Sequence, residues 1–299
     1  MIQDEIFNRY FSYLSDKLDL LPDKPEETVE ATLRVLWFTA KNMQKSIQQV
    51  LDSELPELEE NEIQLLEELI NKRLSGVPLG HISGIQQFMG VEFQVGPEAL
   101  IPRKETEIVG FAALEKLKQI VDSQDQATVV DVCTGSGNLA LAFAYHQGTA
   151  KVYGSDLSAD AVSMANKNKH FLKVEDRVEF RTGDLLEPFR EESFFYNVDL
   201  LTCNPPYISS KKLETMPAEI ISHEPKLAFD GGPFGIKILQ KLIKEAPDFL
   251  KRDGWLAFEV GLGQGAPMKK SLERNPAYKA VESVNDEAGE IRAILAQKE

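Results

Sequence analysis

The sequence predicts an α/β protein: a mostly parallel, Rossmann-like, doubly wound sheet with antiparallel strands at its C-terminal end, preceded by a helical bundle and a β-hairpin linker. Three observations carry this expectation. Apolar residues before position 75 recur at three- and four-residue steps, the period of a helix face. A short stretch of alternation bounded by glycines follows, the period of a strand. From Ala127 onward short apolar runs alternate with helical segments, and strands separated by helices imply a parallel sheet.

The first region, 1–75, reads as three or four amphipathic helices. Ile6, Phe7, Tyr10, Phe11, Leu14 and Leu18 mark the first; Val29, Leu33, Leu36, Trp37, Ala40, Met43, Ile47 and Val50 continue the pattern; Ile63, Leu66, Leu69, Ile70 and Leu74 complete it. Pro22 and Pro25 punctuate the first gap and Pro56 the second, because proline lacks the amide that a helix interior needs. Such a bundle either docks a substrate or caps the fold, and both readings stand. Residues 76–103 read as the hairpin linker: Phe88, Val91, Phe93 and Val95 fall on a strand pattern, with Gly90 and Gly96-Pro97 as turn signals. Residues 104–299 form the third region. A helix is expected from 105 to about 121, then strands at 128–132, 151–155, 178–181, 198–203 and 255–260, and an antiparallel pair at 280–283 and 291–296.

With 299 residues, 42% of them hydrophobic, the chain can build one large domain and a smaller one. A formal net charge of −15 and a pI near 4.9 argue against a dedicated nucleic-acid binder. Residues 1–75 hold 16 acidic against 8 basic residues, so a neutral or basic protein face suits this region better than a phosphate backbone. Cys133 and Cys203 sit in apolar, strand-like settings and read as core thiols of a reducing compartment. The four histidines are scattered, without metal-ligand spacing. The start lacks a basic leader, and no apolar run approaches the ~18 residues of a membrane span. A cytoplasmic location without membrane contact is therefore expected.

Two constellations carry chemistry. In the first, the strand Val129-Val130-Asp131-Val132 runs through Cys133-Thr134-Gly135-Ser136-Gly137 into a helix, so glycines let the backbone approach a ligand and helix amides face it. Asp156 ends the next strand about nineteen residues after Gly137, placed to accept from ribose hydroxyls. Taken alone, Gly135, Gly137 and Ala140 also satisfy a dinucleotide fingerprint. Asp131 favours S-adenosylmethionine instead, since a carboxylate there attracts the ammonium of a methionine moiety and repels a pyrophosphate. Asp184, after the third strand, can accept from an adenine amino group or serve as an ordinary loop acid. In the second constellation, Asn204-Pro205-Pro206-Tyr207 follows an apolar run. Proline fixes its own φ and holds the preceding residue extended. The Asn204 side-chain oxygen and the Pro205 carbonyl are thereby expected to hold the two hydrogens of a planar NH2 group, with Tyr207 packed against it; the bland alternative is a strand ending in a Pro-Pro turn.

These residues together resemble the peptide chain release factor N5-glutamine methyltransferase family, and the resemblance covers most of the chain. It includes Gly76-Val77-Pro78-Leu79, Ile82-Ser83-Gly84, Phe88 to Val95, Leu100-Ile101-Pro102-Arg103-Lys104-Glu105-Thr106-Glu107, the Thr134–Gly137 turn, Asn204 to Ile208, His223-Glu224-Pro225, Gly231-Gly232 and Phe258-Glu259-Val260-Gly261. The resemblance implies a class I S-adenosylmethionine-dependent methyltransferase domain. It also implies a protein substrate, the glutamine of a Gly-Gly-Gln loop in a class 1 release factor, docked in part by the helical region. On this reading Asn204, Pro205 and Tyr207 are catalytic; Asn204, Pro205, Pro206 and Tyr207 hold the substrate; and Asp131, Thr134, Gly135, Gly137, Asp156, Asp184 and Asn204 hold the cofactor. Arg103, Glu105 and Glu107 either order the pocket entrance or cap the joint between hairpin and helix. Three departures stand out: Lys104 replaces a proline, Cys133 a glycine, and Phe234 an acid. Met216-Pro217-Ala218-Glu219 also resembles a sister family acting on a ribosomal protein glutamine. Methylation of an exocyclic nucleobase amine and a non-catalytic binding protein remain the rival readings.

Overall fold

A largely buried helix organises the N-terminal region of the structure, a computed structural model that describes residues 2–21, 24–213, 223–232 and 235–299. Pro22, Phe234 and Met216-Pro217-Ala218-Glu219 lie outside the described residues. Around α2 (Val29–Ala40) pack α1 (Ile2–Lys17), α3 (Ile47–Leu51), α4 (Glu60–Leu74) and α5 (Leu79–Ser83). The sequence pattern suggested an amphipathic helix, yet α2 is buried nearly all round, because neighbours cover it on several sides. Trp37, Leu33 and Leu36 are fully buried, and the Trp37 indole donates to the Pro56 carbonyl at 2.8 Å. Truncating a side chain such as Leu36 to alanine costs about 2–5 kcal/mol. Thr28 starts α2 by accepting from the Ala31 amide at 3.1 Å, the usual service of a hydroxyl to an orphan helix donor.

A hairpin of β1 (Ile85–Phe88) and β2 (Val91–Gln94) follows. Its two loop residues, Met89 and Gly90, both take positive φ (50° and 77°), the tight turn whose twist matches that of the flanking strands. Methionine is strained there, and the Glu107 carboxylate accepts from its amide at 2.7 Å.

Helix α6 (Thr106–Gln124) leads into a seven-stranded sheet of β3 (Ala127–Val132), β4 (Ala150–Asp156), β5 (Val178–Thr182), β6 (Val198–Cys203), β7 (Leu250–Glu259), β8 (Tyr278–Asn285) and β9 (Ile291–Lys298). Their order is β5-β4-β3-β6-β7-β9-β8. Strands β3 to β7 run parallel and β9 and β8 antiparallel, as the sequence predicts. Connecting helices are α7 (Asn138–His146), α8 (Ala159–Leu172), the single turn α9 (Ser210–Leu213), α10 (Lys237–Phe249) and α11 (Gly265–Glu273). Alternate strand residues feed two cores. Val129, Leu200, Trp255 and Ala257 meet α6, α7 and α8; Val130, Leu201, Leu256 and Phe258 meet α10 and α11. Every residue of β6 is buried, as expected for a central parallel strand covered on both faces.

Strand β7 begins five residues before the expected start. Leu250 pairs with Val198, then residues 251–254 bulge out and pairing resumes at Trp255 with Leu200. The polar Lys251-Arg252-Asp253 belongs to that bulge, which is why the apolar pattern starts late. Among the described residues no helix is long and apolar enough to cross a membrane.

Candidate active site

A cleft of about 1040 Å³, its open mouth included, lies at the C-terminal ends of β3, β4 and β6. Strand order reverses beside β3, since β4 lies on one side and β6 on the other, and such switch points open a crevice for ligands. Asp131, Thr134, Gly135, Asp156, Asp184, Asn204 and Pro206 all line it. Gly137, Pro205 and Tyr207 are not among its described lining residues.

One wall comes from the turn after β3. Cys133 sits at φ 57°, the left-handed region, which gives a physical reason for a glycine at this position. Thr134 donates its amide to the Ser155 carbonyl at 2.9 Å and accepts the Gly137 amide at 2.8 Å, closing the turn. Gly137 is where α7 starts, at φ 82°, and an added Cβ would meet Leu141 and Phe180 at about 3 Å. Its role here is to let the turn pack. Asn168, on α8, is buried and donates to the Ser136 and Gln94 carbonyls at 3.1 and 3.0 Å, joining the turn to the hairpin.

Asp131 lies 1% exposed under this turn. Its carboxylate accepts the Thr134 hydroxyl at 2.6 Å and the Thr202 hydroxyl at 2.7 Å. Burial pushes its pKa up to about 6, against the lowering effect of the two hydroxyls. A cation in the cleft would relieve that cost, so the site suits an ammonium group. Asp156 ends β4 and accepts two backbone amides, Gly135 at 2.9 Å and Ser158 at 2.9 Å. Burial raises its pKa too, with the amides offsetting part of the shift. A carboxylate has about four acceptor positions, so both oxygens keep capacity for ribose hydroxyls. Asp184 is half exposed and its Oδ2 takes the Lys241 ammonium at 2.6 Å. It reaches the cleft already paired with a cation.

The opposite wall comes from the segment after β6. Asn204 is half-buried, and its side-chain NH2 donates to the Thr106 hydroxyl at 2.9 Å. Pro205 is buried behind it. The segment is clasped from several sides. Ile208 bridges Asp230, and a Cβ on Gly231 would stand 2.5 Å from the Pro206 carbonyl oxygen, so no side chain fits there. Gln264 donates to the Tyr207 carbonyl at 3.0 Å and accepts from the Gly261 amide at 3.0 Å. The charge of the buried Glu259 is the main reason that the Tyr207 hydroxyl's pKa rises far above the phenol range, with burial adding to it.

The rim is tied by Glu224. Its carboxylate is buried and accepts the Ile101 amide at 3.0 Å and the Arg103 guanidinium at 2.5 Å. This charge-assisted pair joins the Leu100–Arg103 stretch to the loop before η1, the 3-10 turn Lys226–Ala228. Glu107 holds the hairpin turn instead, and the exposed Lys104 approaches Glu107 at 3.8 Å. Glu105 precedes the first residue of α6 without a side-chain capping bond. Thr106, Gln264, Lys241 and Asn168 had no assigned role from the sequence. Thr106 and Gln264 act on the segment after β6 from 98 and 57 positions away, respectively, so local pattern carries no trace of them.

Residues 112–236 match the methyltransferase small domain family. The chain is 38% identical over 229 residues to a release factor glutamine methyltransferase of Moorella thermoacetica, covering 77% of this chain and 78% of that protein. It is 32% identical over 276 residues to the Bacillus subtilis protein of the same name, covering 92% and 93% of the two. The structure of the hMettl16 catalytic domain in complex with MAT2A 3'UTR hairpin 6 gives a TM-score of 0.54 at 14% identity, over 77% of this chain and 81% of that one. Human methyltransferase 10 domain containing protein gives 0.51 at 17% identity, over 69% and 88%. At such identities the likeness is one of fold. Fold and cleft define a class I S-adenosylmethionine-dependent methyltransferase. Within that class, the chain belongs to the release factor glutamine methyltransferase family.

Proposed function

We infer that the protein transfers a methyl group from S-adenosylmethionine to the side-chain amide nitrogen (N5) of a glutamine in the Gly-Gly-Gln loop of a class 1 peptide chain release factor. The observation that carries this reading is the Asn204 carboxamide, fixed through its NH2 and standing in the same cleft as Asp131, Thr134, Gly135 and Asp156.

S-adenosylmethionine supplies an electrophilic methyl on a sulfonium. Asp131 is the partner for its ammonium and Asp156 for its ribose hydroxyls, while Gly135 leaves the turn open enough for close approach and Gly137 lets that turn pack. Asp184 accepts from the adenine amino group through the oxygen that Lys241 leaves available. The target nitrogen is a poor nucleophile, because its lone pair is delocalised into the carbonyl. Asn204 Oδ1 and the Pro205 carbonyl each accept one of its N–H bonds, turning the lone pair toward the methyl. Orientation at a contact of about 3–3.5 Å supplies several kcal/mol of the barrier. Both acceptors bind more strongly as the nitrogen becomes positive, which lowers the transition state more than the ground state. The methylated nitrogen loses its proton only after methyl transfer makes it acidic, so no strong base is needed; no histidine is among the described residues lining the cleft. Pro206 and Tyr207 hold the far side of this corner. Residues 1–75 form the docking region, whose acidic excess fits a basic substrate face, joined by the linker 76–103 to the catalytic region 104–299.

The test is incubation of the purified protein with isotopically labelled S-adenosylmethionine and a release factor, followed by mass-spectrometric mapping. Label on the Gly-Gly-Gln glutamine is expected. Label confined to a ribosomal protein or to nucleic acid, in a lysate lacking this protein, overturns the substrate assignment.

A further inference from the structure

Two buried polar side chains, Asn168 and Glu224, both bind the same stretch of the linker, and each joins it to a different wall of the cleft. At one end, Asn168 of α8 holds both backbone groups of Gln94, the last residue of β2. Its Oδ1 accepts the Gln94 amide at 2.7 Å and its NH2 donates to the Gln94 carbonyl at 3.0 Å, as a neighbouring strand would. The same NH2 donates to the Ser136 carbonyl of the cofactor turn at 3.1 Å. At the other end, the Glu224 carboxylate accepts the Ile101 amide on one oxygen at 3.0 Å and the Arg103 guanidinium on the other at 2.5 Å. Glu224 opens the loop that backs the substrate wall. In that loop the Phe229 carbonyl accepts the Ile208 amide at 3.0 Å, the Gly231 amide donates to the Ile208 carbonyl at 2.9 Å, and Asp230 accepts the Ser210 hydroxyl at 2.8 Å.

Between the two ties, Glu98, Ala99, Leu100, Pro102 and Arg103 line the cleft. This stretch is stiff. Pro97 and Pro102 fix φ at two of its positions. Ala99 packs with Ala161 and Met164 of α8, and Ile101 is buried against Gly80 of α5, where an added Cβ would stand 3.4 Å from its side chain. Strands β3 and β6 pair as far as Val132 and Cys203, which fixes the spacing of the walls at the floor of the cleft. Beyond that pair both walls are loops, and the linker stretch is what spans them.

We propose that residues 94–103 are a strut that sets the spacing of the two walls at the cleft mouth, with Asn168 and Glu224 as the positioning residues at its ends. This deepens the methyl-transfer reading and rests on it. Cofactor sits on one wall and the target amide on the other, so the reacting atoms meet at about 3–3.5 Å only if the walls are correctly spaced, and a misplacement of about 1 Å can cost a hundredfold in rate. A strut works only when both ends are held. Releasing either end should cost a similar amount, and releasing both should cost little more.

The test compares Glu224→Gln, Asn168→Asp and the double variant in the full-length protein, with release factor as substrate and S-adenosylmethionine at saturation. Glu224→Gln keeps an acceptor for the Ile101 amide but sets an NH2 against the Arg103 guanidinium. Asn168→Asp keeps the acceptor for the Gln94 amide but sets a carboxylate oxygen against the Gln94 and Ser136 carbonyls. Each single variant is expected to lower kcat about tenfold, with KM for the release factor within about threefold. The double variant should fall no more than about twofold below the lower single, whereas independent contacts would multiply to about a hundredfold. A multiplicative double variant overturns the proposal, as does an unchanged kcat in either single variant. Backbone amide hydrogen exchange reads the strut without any substrate. Glu224→Gln should speed exchange at the Gln94 amide, whose own bond it leaves in place, and Asn168→Asp should do so at the Ile101 amide. Faster exchange confined to the altered end sinks the strut. Should one variant fail to fold, the far-end amide in the other decides alone. A wild type that methylates no glutamine, in a protein whose variants show both far-end effects, refutes the function and leaves the strut intact.

Discussion

The two walls of the cleft are built on different length scales. On the cofactor side, Asp131 is held by Thr134 three residues away and by Thr202 on the neighbouring β6, and Gly137 by Thr134 in the same turn. Even Asp156 reaches only as far as Gly135, one strand–helix–strand unit back. On the substrate side, Asn204 depends on Thr106 and Tyr207 on Gln264, both from distant parts of the chain. The first wall is built mainly on a local turn, with ties to β6 through Thr202 and to the hairpin through Asn168. The second is an assembly that exists only once α6, β6, β7 and α11 have packed. Binding of cofactor and presentation of the target amide should therefore separate under mutation.

The largest effect expected is that of Asn204→Ala, which removes a preorganised acceptor. Turnover should fall about a hundredfold or more, with S-adenosylmethionine affinity within a few-fold by calorimetry. Comparable losses in both quantities would break the separation of the walls. Asp156→Ala should do the converse. It strands the Gly135 and Ser158 amides as well as the ribose contact, and a stranded buried amide costs about 1–3 kcal/mol. Affinity for S-adenosylmethionine should weaken about tenfold to a hundredfold, and kcat at saturating cofactor should largely recover.

A pH titration sharpens the role of Asp131. Its folded pKa of about 6 lies above the usual 3.8. The native state therefore holds that proton more tightly than the unfolded state, and ionisation lowers the stability of the unliganded protein between pH 3.8 and about 6. An ammonium ligand favours the ionised form. Cofactor affinity should thus tighten as pH rises through about 6, by at most about tenfold per unit, and level off above it. Asp131→Asn should flatten most of that slope; an unchanged profile would remove Asp131 from ammonium binding. The smallest effect belongs to Gln264→Ala. Losing its bond to the Tyr207 carbonyl should lower stability by about 1 kcal/mol and kcat a few-fold, with cofactor affinity unchanged.

The cofactor wall was legible in the sequence because its chemistry is local. A strand entering a glycine turn, with an acid under it and another at the next strand's end, has a fixed spacing whatever surrounds it. The same holds for the hairpin and for β6, whose apolar run 198–203 matches the observed strand. Position along the chain could not show that Glu107 would hold the Met89 amide, or that Glu224 would reach back across 123 positions to Ile101. Thr106 was present in a matching motif, but a motif states which residues occur and not which atoms meet. Helix α2 makes the same point for the fold. Its period is helical by sequence, while its burial on nearly all sides follows from the helices that surround it.

By itself the sequence determined the succession of strands and helices, the glycine turn with its acids, and the rigid asparagine–proline corner, because each depends on backbone preferences and short-range periodicity. Only the tertiary structure decided how that corner is aimed. Hydrogen-bond direction depends on which donors and acceptors meet in a buried space where water cannot substitute, and those partners come from segments far apart in the chain.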